Sequence, residues 1–111
     1  MNISCEEYDQ IAVVTIDGEL SQDTVEAFKN TIQERLQEGR MNFVVDFKKV
    51  SLIDSQGLEA LLWLKDQCQE HQGLVKLAGL DEISAKILNM TRIDRAFDIC
   101  NDLIEAVKSF T

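Results

Sequence analysis

The sequence predicts an α/β domain: a mixed, mostly parallel sheet of four to five strands, an antiparallel ribbon at its N-terminal edge, and four helices. Short β-branched runs alternate along the chain with longer amphipathic stretches, which is the pattern of a sheet covered by helices. The 111 residues are 45 % hydrophobic and contain no proline, as expected for one compact domain over residues 1–111. No linker, internal repeat or low-complexity segment interrupts the pattern.

The charge and hydropathy of the chain limit its partners. The formal net charge is −9, whereas nucleic acids and anionic membranes bind proteins through clustered Lys and Arg. The sequence holds no apolar run of about eighteen residues, the length that a membrane-spanning helix needs. Residues 1–7 lack the basic and apolar regions of a signal peptide. We therefore expect a cytoplasmic protein with no nucleic-acid partner and no membrane insertion.

The cysteines do not form a recognisable metal or disulfide framework. Cys5, Cys68 and Cys100 are widely spaced, and His71 is the only histidine. The four suitably spaced ligands of a structural zinc site are therefore missing. We expect no metal, no cofactor, and three reduced and mostly buried thiols.

The first third of the chain predicts a ribbon and then a helix. Residues 2–7 read as a short strand, and a polar turn separates them from a β-branched strand over residues 11–16. Asp23, with Glu26 at capping-box spacing, is expected to open a helix that Gly39 ends. Apolar side chains at intervals of three and four residues form its inner stripe: Val25, Phe28, Ile32 and Leu36.

The middle of the chain predicts a buried strand and a long helix. Residues 43–47 are nearly all apolar, as in a central strand covered on both faces. Residues 50–53 carry the chain across to a helix over about residues 56–71. Five side chains share the inner face of that helix: Leu58, Leu61, Leu62, Leu64 and Cys68.

Trp63 and His71 do not belong to that inner face. At 100° per residue, Trp63 projects among acidic residues on the opposite side. An isolated exposed Trp is common, but Trp is also enriched at binding hot spots, so Trp63 is a candidate partner contact. His71 lies near the helix C-terminus, where a favourable dipole interaction is a sufficient role.

The last third predicts two more strands and two more helices. A strand over residues 74–78 leads into a helix over about 82–90, with Ile83, Ile87 and Leu88 inward. A brief strand over residues 97–100 follows. Asp102 then caps the last helix, whose single apolar face carries Leu103, Val107 and Phe110.

Asp54 and Ser55 stand where an apolar run ends and the long helix begins. Ser55 takes the N-cap position in this prediction, and Gly57 leaves space beside its hydroxyl. Two compatible interpretations follow for Ser55. A capping serine is the commoner one, and a phosphoacceptor is the other, because unpaired N–H groups and the helix dipole favour an anion.

Signals of enzyme chemistry are few. The sequence has neither a GxGxxG motif nor a phosphate-binding loop that ends in Gly-Lys-Ser/Thr. Ser55 and His71 are separated by a helix about 24 Å long, which is far beyond hydrogen-bonding reach. The residues therefore favour a binding module over an enzyme.

Three motifs carry a family resemblance that covers nearly all of the chain. The first is Asp17-Gly18-Glu19-Leu20, and the second is Val44-Val45-Asp46-Phe47. The third and most specific, Ile53-Asp54-Ser55-Gln56-Gly57-Leu58, matches an Ile-Asp-Ser-x-Gly-Leu signature. With these motifs the chain resembles a STAS domain, and most of all the bacterial anti-sigma factor antagonists.

The resemblance implies a partner-switching role regulated at Ser55. In that family the signature serine is phosphorylated by a partner that is both an anti-sigma factor and a serine protein kinase, and a serine phosphatase resets it. Phosphorylation blocks the binding that frees the sigma factor. The implied docking surface around Ser55 contains Ile53, Asp54, Gln56, Gly57 and Leu58. The loop after Gly18 belongs to the same surface and adds Ser21 and Asp23.

Two positions depart from the family pattern, and other functions remain open. The family often has Asp directly after Gly-x-Leu, where this chain has Ser21 and then Asp23. Arg92 stands where a glycine is common. One alternative is an adaptor in a transporter or stress-signalling assembly, with Ser55 only a helix cap. Another is a small nucleotide-binding protein or hydrolase.

Overall fold

A computed structural model describes residues 2–110 and shows one α/β domain with strands and helices in the predicted order. The six strands are β1 (Asn2–Tyr8), β2 (Ile11–Leu20), β3 (Asn42–Asp46), β4 (Val50–Ile53), β5 (Val75–Ala78) and β6 (Asp98–Cys100). The four α-helices are α1 (Val25–Gln37), α2 (Ser55–Glu70), α3 (Glu82–Met90) and α4 (Leu103–Lys108). A 3₁₀ helix, Ile93–Ala96, lies before β6 and is absent from the sequence prediction.

The sheet is mixed, as predicted. The strand order is β1-β2-β3-β5-β6, and β4 also pairs with β2. Only β1 and β2 are antiparallel within residues 2–110, and they form the expected edge ribbon. Parallel strands place their carboxyl ends at one edge of the sheet, and α2 begins at that edge.

The segment predicted as a simple connection, residues 50–53, is the strand β4. It pairs in parallel with the end of β2, where Leu20 lies opposite Ile53, and the β2 register shifts between Gly18 and Glu19. A strand of four residues carries too weak an alternation to be recognised alone. Its pairing brings the end of β2 beside the start of α2.

Helices cover both faces of the sheet. The larger apolar core joins α1, α2 and α3 to one face, through side chains such as Phe28, Leu61 and Leu88. The smaller core joins α4 to the other face, where Ala106 packs with Val44. As predicted, Leu103, Val107 and Phe110 border this smaller core.

Two predicted inward residues are exposed. Leu62 is 37 % exposed because the inner stripe of α2 runs through Leu61 and Leu64, and Leu62 is turned about 100° from Leu61. Ile83 is 72 % exposed because the first turn of α3 turns Ser84 towards the core in its place. The other predicted inward residues of both helices are buried or half-buried.

The three thiols are unpaired, with Cys68 buried and Cys5 and Cys100 half-buried. None of the helices within residues 2–110 is both long and apolar enough to cross a membrane.

Candidate partner-binding site

Ser55 is the first residue of α2, and its side chain is exposed. The predicted N-cap role belongs to Asp54 instead, whose carboxylate oxygen Oδ1 accepts the Gly57 N–H at 2.9 Å. A carboxylate is favoured here because it also interacts with the positive end of the helix dipole. The Ser55 hydroxyl makes no hydrogen bond with any residue in the described range 2–110. The Ser55 hydroxyl is therefore open to solvent and does not cap the helix.

The second carboxylate oxygen of Asp54 ties a distant loop to α2. Oδ2 accepts the Gln22 backbone N–H at 2.9 Å. Two backbone hydrogen bonds to the Asp54 carboxylate hold its pKa below the usual value. The bond from the Gln22 N–H has the larger effect, and the bond from the Gly57 N–H the next largest. Asp54 is thus an anion beside Ser55 at neutral pH, and it joins two segments of the proposed docking surface.

Gly57 is buried, and its lack of a side chain serves the backbone rather than the Ser55 hydroxyl. A Cβ at this position would overlap the carbonyl oxygen of Leu20 and lie 2.9 Å from Cγ1 of Ile53. The glycine therefore allows α2 to start directly against the end of β2.

The loop after β2 is held by hydrogen bonds of the Thr24 side chain. Thr24 precedes α1 but makes no capping hydrogen bond, so the predicted capping box of Asp23 and Glu26 is not formed. Instead, Thr24 Oγ1 accepts the Ser21 N–H at 2.9 Å and donates to the Glu19 carbonyl at 2.9 Å. Ser21 is only 6 % exposed, and its hydroxyl has no partner within residues 2–110. Asp23 is exposed.

The signature residues divide into supporting and exposed groups. Ile53 and Leu58 are buried in the main core, so they position the turn that carries Ser55. Gln56 is exposed beside Ser55. Ser55, Gln56 and Asp23 are therefore exposed and Ser21 is buried, and the Gln22–Asp54 hydrogen bond joins the two segments that carry them.

Trp63 is not exposed on the outer side of α2, where the sequence predicted it. It is half-buried, packs against the main core, and the Lys29 ammonium on α1 lies 5.5 Å from its ring centroid. The helical wheel misplaced it because α1 lies against that side of α2. Trp63 thus faces the seam between the two helices.

Two exposed apolar residues near Ser55 were not selected from the sequence. Leu62 lies seven residues after Ser55 on the same side of α2, and Leu52 on β4 is 48 % exposed. Leu52 was missed because residues 50–53 alternate too little between polar and apolar types to predict which side chains face outward. The signal for Leu62 was hidden by its fit to the inner stripe.

The single histidine of the chain lies far from Ser55. His71 caps the C-terminus of α2, and its Nδ1 lies 2.9 Å from the Gln67 carbonyl oxygen. Ser55 lies at the opposite end of α2, so His71 cannot act as a general base for its hydroxyl. An anion attached to the Ser55 oxygen would meet the positive end of α2 and the negative charge of Asp54.

Comparisons with known proteins agree with this architecture. A candidate anti-sigma factor antagonist from Thermotoga maritima superposes with a TM-score of 0.91 at 20 % identity, over 96 % of this chain and 92 % of that one. An anti-sigma factor antagonist from Mycobacterium paratuberculosis gives 0.87 at 20 % identity, over 97 % and 92 %. The Bacillus cell fate determinant SpoIIAA, in its phosphorylated form, gives 0.79 at 18 % identity, over 99 % and 100 %.

Sequence comparison gives the family directly. A search of curated proteins found no significant relative. The profile of the STAS domain, in contrast, matches residues 2–106, which is nearly the whole chain and includes every residue of the surface around Ser55. This chain belongs to the STAS domain family.

Proposed function

We propose that this chain is a cytoplasmic, non-enzymatic antagonist of an anti-sigma factor, and that phosphorylation of Ser55 switches it off. The observation that carries the proposal is the exposed, unbonded Ser55 hydroxyl at the start of α2 within the family signature. In this scheme the unmodified surface binds an anti-sigma factor that is also a serine kinase. A serine phosphatase restores the surface.

The free energies favour a blocked contact over a change of fold. A phosphate adds about −1.5 to −2 charges. The helix N-terminus would stabilise it by about 0.3–1 kcal/mol, and the neighbouring Asp54 anion would repel it by about 1 kcal/mol in water. Since Asp54 already accepts the Gly57 and Gln22 N–H groups, the phosphate need not displace them. Within the free domain these effects nearly cancel.

At an interface the balance is different. A phosphate without a partner cation would lose its water there, which costs several kcal/mol. Each ~1.4 kcal/mol corresponds to a tenfold change of affinity. Phosphorylation is therefore expected to weaken partner binding by about a hundredfold or more.

The test begins with candidate kinases of the anti-sigma factor type and ATP, followed by intact mass measurement. We expect one phosphate on the wild type and none on Ser55→Ala. In a binding titration Ser55→Ala should bind the same partner as tightly as the unmodified chain, and Ser55→Asp at least about tenfold more weakly. Asn30→Asp adds the same charge on the exposed side of α1 and is the matched control.

Three results would separate this function from its alternatives. Equal affinities of Ser55→Ala and Ser55→Asp would contradict the switch. Tight partner binding without any phosphorylation would favour the adaptor, and heat in a calorimetric nucleotide titration would favour a nucleotide-binding protein. Trp63 stays a proposed partner contact, and because it is the only tryptophan, an unchanged emission at saturation would remove it from the interface.

A further inference from the structure

A cavity lies at the far end of α2, away from Ser55. Its walls come from the last turns of α2, the start of β5, the 3₁₀ helix and the start of β6, and its volume is about 200 Å³. Lys65 and Gln69 on its α2 wall follow Ser55 by ten and fourteen residues, or about 15–21 Å of helix.

The inner part of the cavity is apolar and neutral. Cys68 is almost fully buried, and burial raises the pKa of its thiol to about 12. Phe97 packs against the main core, and Leu74 is 57 % exposed at the opening. Together these residues offer an apolar surface for a small organic group.

The cavity is lined by two cationic side chains that form no ion pair with another residue in the described part of the chain. Lys65 and Arg95 both line the cavity, and neither side chain makes an ion pair or a hydrogen bond with another residue in the described part of the chain. The chain has 20 acidic residues and 11 basic ones, so carboxylates are plentiful. The one acid of the lining, Asp98, lies 3.8 Å from the Lys76 ammonium and is already paired.

One wall of the cavity is fixed before any ligand arrives. The Gly73 N–H donates to the Cys68 carbonyl at 2.7 Å, and a Cβ on Gly73 would overlap the Met41 carbonyl oxygen. A wall held in this way does not need to be ordered on binding, which removes part of the entropic cost of binding.

We propose that this cavity binds a small carboxylate that carries a short aliphatic or aromatic group. Arg95 presents a planar guanidinium that pairs with both carboxylate oxygens, and Lys65 adds a second charge. The apolar group lies against Phe97 and Leu74. The small volume excludes drug-sized ligands, which fill about 300–1,000 Å³. The site is independent of the Ser55 surface and does not rest on the function proposed above.

The test is a titration of the ¹⁵N-labelled protein with sodium benzoate, followed by amide chemical shifts. Benzyl alcohol tests the need for the charge, and sodium chloride controls for ionic strength. We expect saturable shifts at Cys68, Gly73 and Leu74 with a dissociation constant of about 1 mM. Benzyl alcohol and sodium chloride should give no saturable shifts at these amides.

Two substitutions complete the test. Arg95→Gln should weaken benzoate binding at least about tenfold, whereas Lys86→Gln, the same charge change at an exposed residue of α3 outside the cavity, should leave it unchanged. Linear shifts without saturation in the wild type would overturn the proposal. Equal affinities of the wild type and Arg95→Gln would do the same.

Discussion

At Gly57 the first turn of α2 lies against the end of β2, with no space for a β-carbon. Replacing glycine by alanine inside a helix normally stabilises it by about 1 kcal/mol. Here the new methyl group would overlap the Leu20 carbonyl, and overpacking of this kind costs about 1–3 kcal/mol. We expect Gly57→Ala to lower the free energy of unfolding in urea by about 1–3 kcal/mol.

The neighbouring residue provides the control for that measurement. Gln56 is exposed in the same turn of α2, so Gln56→Ala should change the free energy of unfolding by less than about 0.5 kcal/mol. A Gly57→Ala protein as stable as the wild type would show that the turn can move away from β2.

Asp54 makes stability depend on pH in a defined direction. The N–H groups of Gln22 and Gly57 hold its pKa below the usual value. Since the folded pKa is the lower one, the ionised carboxylate stabilises the fold above the unfolded pKa. This contribution is lost as the pH falls through the folded pKa. Between about pH 6 and about pH 2, the wild type should therefore lose more stability than Asp54→Asn.

The control is Asp66→Asn, which removes a charge from an exposed residue of α2 whose side chain makes no hydrogen bond within residues 2–110. Urea unfolding at several pH values measures all three proteins. The same pH dependence in Asp54→Asn and the wild type would mean that the hydrogen bonds to Gln22 and Gly57 do not favour the ionised form.

The β1–β2 hairpin closes through a turn made without glycine. Tyr8 pairs with Ile11, so Asp9 and Gln10 form a two-residue loop, and their φ angles are 50° and 71°. A left-handed residue other than glycine costs about 1–2 kcal/mol, while glycine costs about 0.5–1 kcal/mol in chain entropy. Gln10→Gly should therefore stabilise the protein by about 0.5–1 kcal/mol in urea unfolding. Gln10→Ala keeps the strain, and an equal gain from it would argue against this cause.

The spacing of apolar residues predicted most strands and helices, because the residues that form each apolar face lie within one short segment of the chain. The apolar stripe of α1 and the β-branched residues 11–16 of β2 are examples. Val25, Phe28 and Ile32 are buried, and residues 11–16 are buried except for the half-buried Thr15. Helix starts were predicted less well, since Thr24 bonds back to Ser21 and Glu19 instead of capping α1. The sequence cannot show such a competition between two local partners.

The same limit applies to the candidate site. The signature located Ser55 and its helix from neighbouring residues alone. The Gln22–Asp54 hydrogen bond and the contact of Gly57 with Leu20 join segments more than thirty residues apart, so they needed the fold. Trp63 was misplaced for the same reason, because its surroundings depend on where α1 packs.

On the scale of the whole molecule, the free energies above predict that phosphorylation of Ser55 leaves the fold intact. The unfolding free energy of the phosphorylated protein should differ from that of the unmodified protein by less than about 1 kcal/mol. Amide shift changes should be confined to the first turn of α2 and the loop at Gln22. Mock-treated protein is the control, and shifts that reach α4 on the opposite face of the sheet would contradict the prediction.

The fixed first turn of α2 also has a consequence for the phosphorylation proposed at Ser55. Many kinases read an extended peptide, but here the acceptor begins a helix that Asp54 and Gly57 hold against β2. A short synthetic peptide with the same residues would not keep that helical shape in water. A kinase that carries out the phosphorylation proposed above would therefore recognise a surface assembled from several segments, and it would not act on the nascent or denatured chain.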